Sequence, residues 1–173
     1  SFGDLSQLQS LTLCPNLGRL PDCISHLHQL EDLSLRGLNK LIELPDFVQT
    51  LPKLKTLDLS GCTSLRTLPA WLDLEYCLAK DVNFTGCTSL QVSWMQDLSL
   101  HGLDKMTKVP DFIQTLPNLK TLDLSGCASL RTLPAWLDLE YCRAKNLKIN
   151  FDGCTRLQWS WIQWLPNMGT VDQ

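Results

Sequence analysis

The stretch Leu54–Cys62, LKTLDLSGC, returns as Leu119–Cys127. Leucines hold its first, fourth and sixth places, and a cysteine holds the ninth. Between Thr56 and Ser60 polar and apolar residues alternate. That period of two marks a strand with one buried face and one wet face. A single strand and turn cannot bury its own leucines. A chain that repeats the unit must stack it, so that the leucine columns merge into one interior.

The unit recurs along most of the chain. A first copy runs from Leu8 through Leu11, Leu13, Asn16, Leu17 and Leu20. A second starts at Leu30, a third at Leu54, a fifth at Met95 and a sixth at Leu119. Weaker fourth and seventh copies run from Ala79 to Leu90 and from Asn146 to Leu157. The segments that follow these two, at 91–95 and 158–162, are short. They are expected to return as tight extended chain. An aliphatic residue followed by proline, at Pro21, Pro45, Pro69, Pro110 and Pro134, ends each long unit. Proline cannot donate to a ladder, so each marks where the strand path is over. After three of these prolines, Asp22–His26, Asp46–Thr50 and Asp111–Thr115 read as short helical turns. An acid there suits a helix start.

The pattern L-x-x-L-x-L-x-x-(N or C)-x-(x)-L followed by L-P resembles that of leucine-rich repeat proteins, over nearly the whole chain. The resemblance implies an α/β solenoid of about seven to eight repeats. Its parallel β-sheet would line a concave face, with short helical or extended segments on the convex one. The style of the repeats is similar to plant intracellular immune receptors of the nucleotide-binding, leucine-rich repeat kind, and to bacterial leucine-rich repeat effectors. It implies a non-catalytic module that binds a partner protein in the cytoplasm, the host's cytoplasm for an effector. The alternatives are the target-recognition domain of an effector enzyme such as a ubiquitin ligase, and an extracellular receptor ectodomain.

A larger duplication lies over the small one. Residues 46–80 match 111–145 at all but four positions, and the second copy carries two extra residues near Lys148. The duplicated blocks are taken as 32–96 and 97–163, within one repeat domain that spans 1–173. Neither end reads as a polar cap, so the chain is expected to be part of a longer protein with neighbouring domains. Trp159, Trp161 and Trp164 are expected to cover the last coil.

The strand register places polar residues on the wet face. The candidate binding residues are Asp32, Arg36, Asp58, Asp81, Asn83, Asp97, His101, Asp123, Lys148, Asn150 and Asp152. Aspartates one strand apart would stand roughly 5 Å from each other and repel. A partner with basic groups would relieve that repulsion.

The remaining residues exclude more than they propose. A net charge of −3 and the lack of a basic stripe argue against nucleic acid. No apolar run is long enough to cross a bilayer. No phosphate loop or nucleophile elbow is present, and no cofactor is expected. His26 and His28 have no Cys or acid spaced to complete a metal site, and read as solvated. Of eight cysteines, Cys62, Cys87, Cys127 and Cys154 share one place in their repeats. One thiol per repeat reads as buried, reduced packing, with disulfides the alternative. The sequon Asn83-Phe84-Thr85 points toward that alternative.

Overall fold

The computed structural model describes residues 5–158. The chain falls into two compact units, Ser1–Val92 and Ser93–Gln173. The expected role of Trp159, Trp161 and Trp164 lies outside the described residues.

In the first unit, strands β1 (Ser10–Thr12), β2 (Asp32–Ser34), β3 (Thr56–Asp58) and β4 (Asp81–Asn83) form one parallel sheet in chain order. In the second, β5 (Asp97–Ser99), β6 (Thr121–Asp123) and β7 (Lys148–Asn150) form another. The registers place Leu11, Leu33, Leu57 and Val82 in one row, and Leu98, Leu122 and Ile149 in another. These middle residues face the core, and Leu33, Leu57 and Leu122 are at most 1% exposed. Each strand has three residues, but the backbone ladder runs on past it. Leu35 N–H donates to Asp58 O at 2.8 Å, and Gly37 N–H to Ser60 O at 2.7 Å.

The turn after each strand needs a left-handed residue. Gly61 takes φ +72°, and a Cβ there would meet Gly37 Cα at 3.5 Å. Glycine occupies this place without the steric cost that a side chain brings. It also lets neighbouring coils stack closely at the bend.

The three proline-led segments are 3-10 helices at Asp22–His26, Asp46–Thr50 and Asp111–Thr115, as the sequence suggests. Pro21, Pro45 and Pro110 precede them in extended geometry. Each segment buries one branched aliphatic residue, Ile24, Val48 or Ile113. Two further helices escape the sequence reading. Helix α1 (Leu74–Ala79) is capped by Asp73, whose carboxylate accepts from Tyr76 N at 2.9 Å. Its counterpart, which we number α3 (Leu139–Lys145), is capped by Asp138 through Tyr141 N at 2.8 Å. The signal was present in the sequence, because an Asp just before a helix, in reach of the free amide three residues on, is an N-cap pattern.

The extended return expected at 91–95 is instead α2 (Ser93–Gln96), one short turn that runs directly into β5. Met95 is 2% exposed. Curling the chain into a turn buries that side chain while using few residues.

The two extra residues of the second block are Asn146 and Leu147. Asn146 adopts φ 50°, and Leu147 N–H reaches back to Cys142 O at 2.8 Å. This closes α3 with a left-handed cap and an apolar residue behind it. Leu147 is 2% exposed, so the insertion adds core as well as length. In the first block, Lys80 is already extended after α1 and leads straight into β4.

Candidate functional site

The outer surface of each sheet is built in rows across the strands. In the first unit one row holds Ser10, Asp32, Thr56 and Asp81, and the next holds Thr12, Ser34, Asp58 and Asn83. Beyond the strand ends, the continued ladder lines up Arg36, Ser60 and Thr85. The second unit repeats the plan. Its rows are Asp97, Thr121 and Lys148, then Ser99, Asp123 and Asn150, then His101, Ser125 and Asp152.

This register corrects the electrostatic expectation. Within each described sheet no two aspartates stand side by side in a row of adjacent strands. Thr56 separates Asp32 from Asp81, and its hydroxyl donates to Asp32 at 2.6 Å. Thr121 donates likewise to Asp97 at 2.7 Å. A hydroxyl between carboxylates replaces repulsion with a hydrogen bond.

The second row is structural. Asp58 accepts from Ser60 N, Asn83 from Thr85 N and Asp123 from Ser125 N, each at 2.9 Å. Asn150 accepts from Asp152 N at 3.0 Å. These are Asx turns, which bend the chain off the strand toward the glycine that follows. The spacing Asx-x-(Ser, Thr or Asp)-Gly carried that signal. Ser60, taken as a wet-face residue in the sequence, is buried, whereas Thr85 and Asp152 at the same place in their turns are exposed.

The candidate residues therefore divide by what their side chains are free to do. Asp32, Arg36, Asp81, Asp97, His101, Lys148, Asn150 and Asp152 are exposed, whereas Asp58, Asn83 and Asp123 are half-buried. His101 Nδ1 lies 2.8 Å from Ser125 Oγ. Partial burial pushes the Asp123 carboxyl up. The Ser125 hydroxyl and amide, the charge of His101 and the Ser99 hydroxyl outweigh it, and the carboxyl sits below its ordinary value. His101, Ser125 and Asp123 do not form a nucleophilic relay. The imidazole meets the hydroxyl, but Asp123 turns to Ser125 and its own turn rather than orienting the ring from behind.

The thiols divide as well. The four in the shared place point into the core, and each donates to a carbonyl of the preceding coil. Cys62 Sγ lies 3.2 Å from Leu35 O, Cys87 3.0 Å from Leu59 O, Cys127 3.2 Å from Leu100 O and Cys154 3.0 Å from Leu124 O. Burial pushes Cys62 up to about 11 and Cys87 up to about 12. A thiol held protonated is a poor nucleophile. Cys77 and Cys142 are buried in α1 and α3. Cys14 and Cys23, which lie outside the shared place, are exposed. Among the described residues no group of His, Cys, Asp and Glu is arranged to hold a metal ion, and no helix is long and apolar enough to cross a membrane.

On the other side of the repeats, Trp71 Nε1 donates to Asp46 at 3.2 Å and Trp136 Nε1 to Asp111 at 3.3 Å. Tyr76 and Tyr141 pack edge-on against these rings at 5.2 and 5.3 Å. Asp46 and Asp111, which open two of the three 3-10 helices, thus tie them to the next coil.

The family model described as Leucine Rich Repeat matches residues 53–77 and 118–139. A similar protein is the disease resistance protein RPS4B of Arabidopsis thaliana, 33% identical over 164 residues. The match takes in 91% of this chain and 14% of that protein's length.

Proposed function

This chain is a leucine-rich repeat protein, and from that premise we infer that it works as a non-catalytic module that binds a partner protein on the outer face of its strands. The observation that carries the reading is the contrast between frame and surface. The cores and turns of the two blocks repeat residue for residue at most places. The exposed face changes charge, with Lys148 where the first block has Asp81, His101 for Arg36 and Asp152 for Thr85. A rigid frame with exchangeable polar ends suits recognition.

The partner we propose presents basic groups. Asp32, Asp81, Asp97 and Asp152 are exposed acids that such groups would meet. The similarity to a disease resistance protein supports a role in plant immunity, with the 173 residues acting as one repeat domain beside others in the cytoplasm.

The test is capture of partner proteins from plant cytosol on the immobilised chain, with three variants. Recovery should fall with Asp32→Lys/Asp81→Lys and with Asp97→Lys/Asp152→Lys, and should persist with Glu140→Lys on α3. Equal recovery from all three, or loss only with the α3 change, would overturn the outer face as the binding surface.

A further inference from the structure

We propose that the second unit carries another docking surface, along the edge that follows its turns, and that it takes an acidic peptide segment. Lys105, Lys108, Arg131 and Arg156 are all exposed there. They stand on three neighbouring segments that leave the bends at Gly102, Gly126 and Gly153. Asp104, Ala128 and Thr155 each donate a backbone N–H to the glycine two residues back, at 2.8, 2.8 and 2.9 Å. The three bends are thus alike, and residues counted from them share places. Arg131 N–H donates to Thr107 O, and Gln158 N–H donates to Arg131 O at 2.9 Å, so the segments run side by side. Neighbours at such spacing lie about 5 Å apart, so the three segments that carry the four cations span roughly 10 Å.

The edge lacks its own counter-charge. Asp104 is the single carboxylate on the three segments. Among the described residues the ion pair is Lys55 with Glu31, in the other unit, and none of the four cations is paired. In a chain of net charge −3, that makes the edge a local exception. Four like charges held close on a firm backbone repel one another, and an acidic segment laid along them relieves the repulsion.

The first unit serves as an internal control. At the same places it carries Lys40, Glu43, Arg66 and Ser89. Lys108 replaces an acid and Arg156 replaces a hydroxyl, on an otherwise repeated frame. An acidic peptide fits the edge better than nucleic acid does. The segments 104–108, 128–132 and 155–158 hold no aromatic residue on which a base would stack, and the patch is short beside a duplex.

The experiment is fluorescence anisotropy with the whole 173-residue chain and a labelled, Asp/Glu-rich peptide of about 12 residues, long enough to cross the patch in extended form. A Gln/Asn peptide of equal length and a single-stranded oligonucleotide are the comparisons. The acidic peptide should bind at about 0.05 M salt and weaken steeply toward about 0.3 M. Lys108→Glu/Arg156→Ser should weaken it about tenfold, because two of four cations are lost. Both substitutions install residues that the first unit already carries at these places. Lys105→Gln/Lys108→Gln gives a second variant should the first not fold. Glu43→Lys/Ser89→Arg should strengthen binding. Equal binding of the neutral peptide, no effect of the variants, or tighter binding of the oligonucleotide would overturn the proposal.

Discussion

Thr56 donates its hydroxyl to Asp32 across two parallel strands at 2.6 Å, and Thr121 repeats the contact to Asp97 at 2.7 Å. The pair shows how a face rich in acid is tolerated. Thr56 stands between two carboxylates and Thr121 between a carboxylate and Lys148, and the aspartates of the next row are spent on turns.

The two kinds of aspartate should respond differently. Asp58→Ala and Asp123→Ala each remove the acceptor for the Ser60 or Ser125 amide, and should cost about 1 kcal/mol in urea unfolding. Asp32→Ala and Asp97→Ala lose only an exposed hydrogen bond and should stay within about 0.5 kcal/mol of the parent. A larger loss at Asp32 than at Asp58 would reverse the assignment of roles.

Leu57→Ala and Leu122→Ala should be far more damaging. Both side chains are at most 1% exposed, in the middle row of a sheet. Loss of a core leucine costs about 2–5 kcal/mol, because packed neighbours close the cavity only in part. Chemical denaturation followed by circular dichroism reads the shift.

Thiol accessibility separates the cysteines. Iodoacetamide applied to the native chain should label Cys14 and Cys23, which are exposed, and spare Cys62, Cys77, Cys87, Cys127, Cys142 and Cys154 until urea is added. Peptide mass mapping would show it. Rapid native labelling of Cys87 would contradict its place in the core.

The same burial makes stability fall in alkali. Burial raises Cys77 and Cys87 from an ordinary value of 9.0 to about 12, and Cys62 to about 11. The native thiols keep their protons where the unfolded chain loses them. Their contribution is therefore complete below pH 9 and declines as pH climbs from there toward 12. Urea midpoints under reductant should drop between about pH 7.5 and about pH 10. The drop should be smaller in Cys77→Ala/Cys87→Ala, measured against that variant's own midpoint at the lower pH.

Two backbone positions offer a further check. Gly61→Ala must hold an alanine at φ +72° and should cost about 1–2 kcal/mol. Gly18 has no positive φ, and an added Cβ meets Lys40 at an ordinary 3.6 Å, so Gly18→Ala should change little. At Asn146, with φ 50°, Asn146→Gly should be neutral and Asn146→Ala should cost about 1 kcal/mol. Thermal melts distinguish these outcomes.

Periodicity in the sequence was enough to place the strands, most of the buried leucines and the three proline-led turns, although Leu8, Leu11, Leu13 and Leu17 of the first copy are only half-buried. Those features depend on contacts that recur once per coil, so a single chain displays them. The same periodicity marked Asp58 and Ser60 as wet-face residues, because alternation alone shows neither the Asx turn that engages Asp58 nor the burial of Ser60. Helix α2 was also hidden: Met95 curls inward for burial, and burial depends on what lies beside it.

The sequence by itself determined that coils lined with leucine stack within each unit, because one strand and turn cannot bury its own leucines. Only the tertiary structure decided which polar residues are neighbours. Thr56 between Asp32 and Asp81, His101 beside Ser125, and four cations on one edge all arise between residues a full coil apart. Their pairing follows from the alignment of one coil upon the next, a relation that no local pattern encodes.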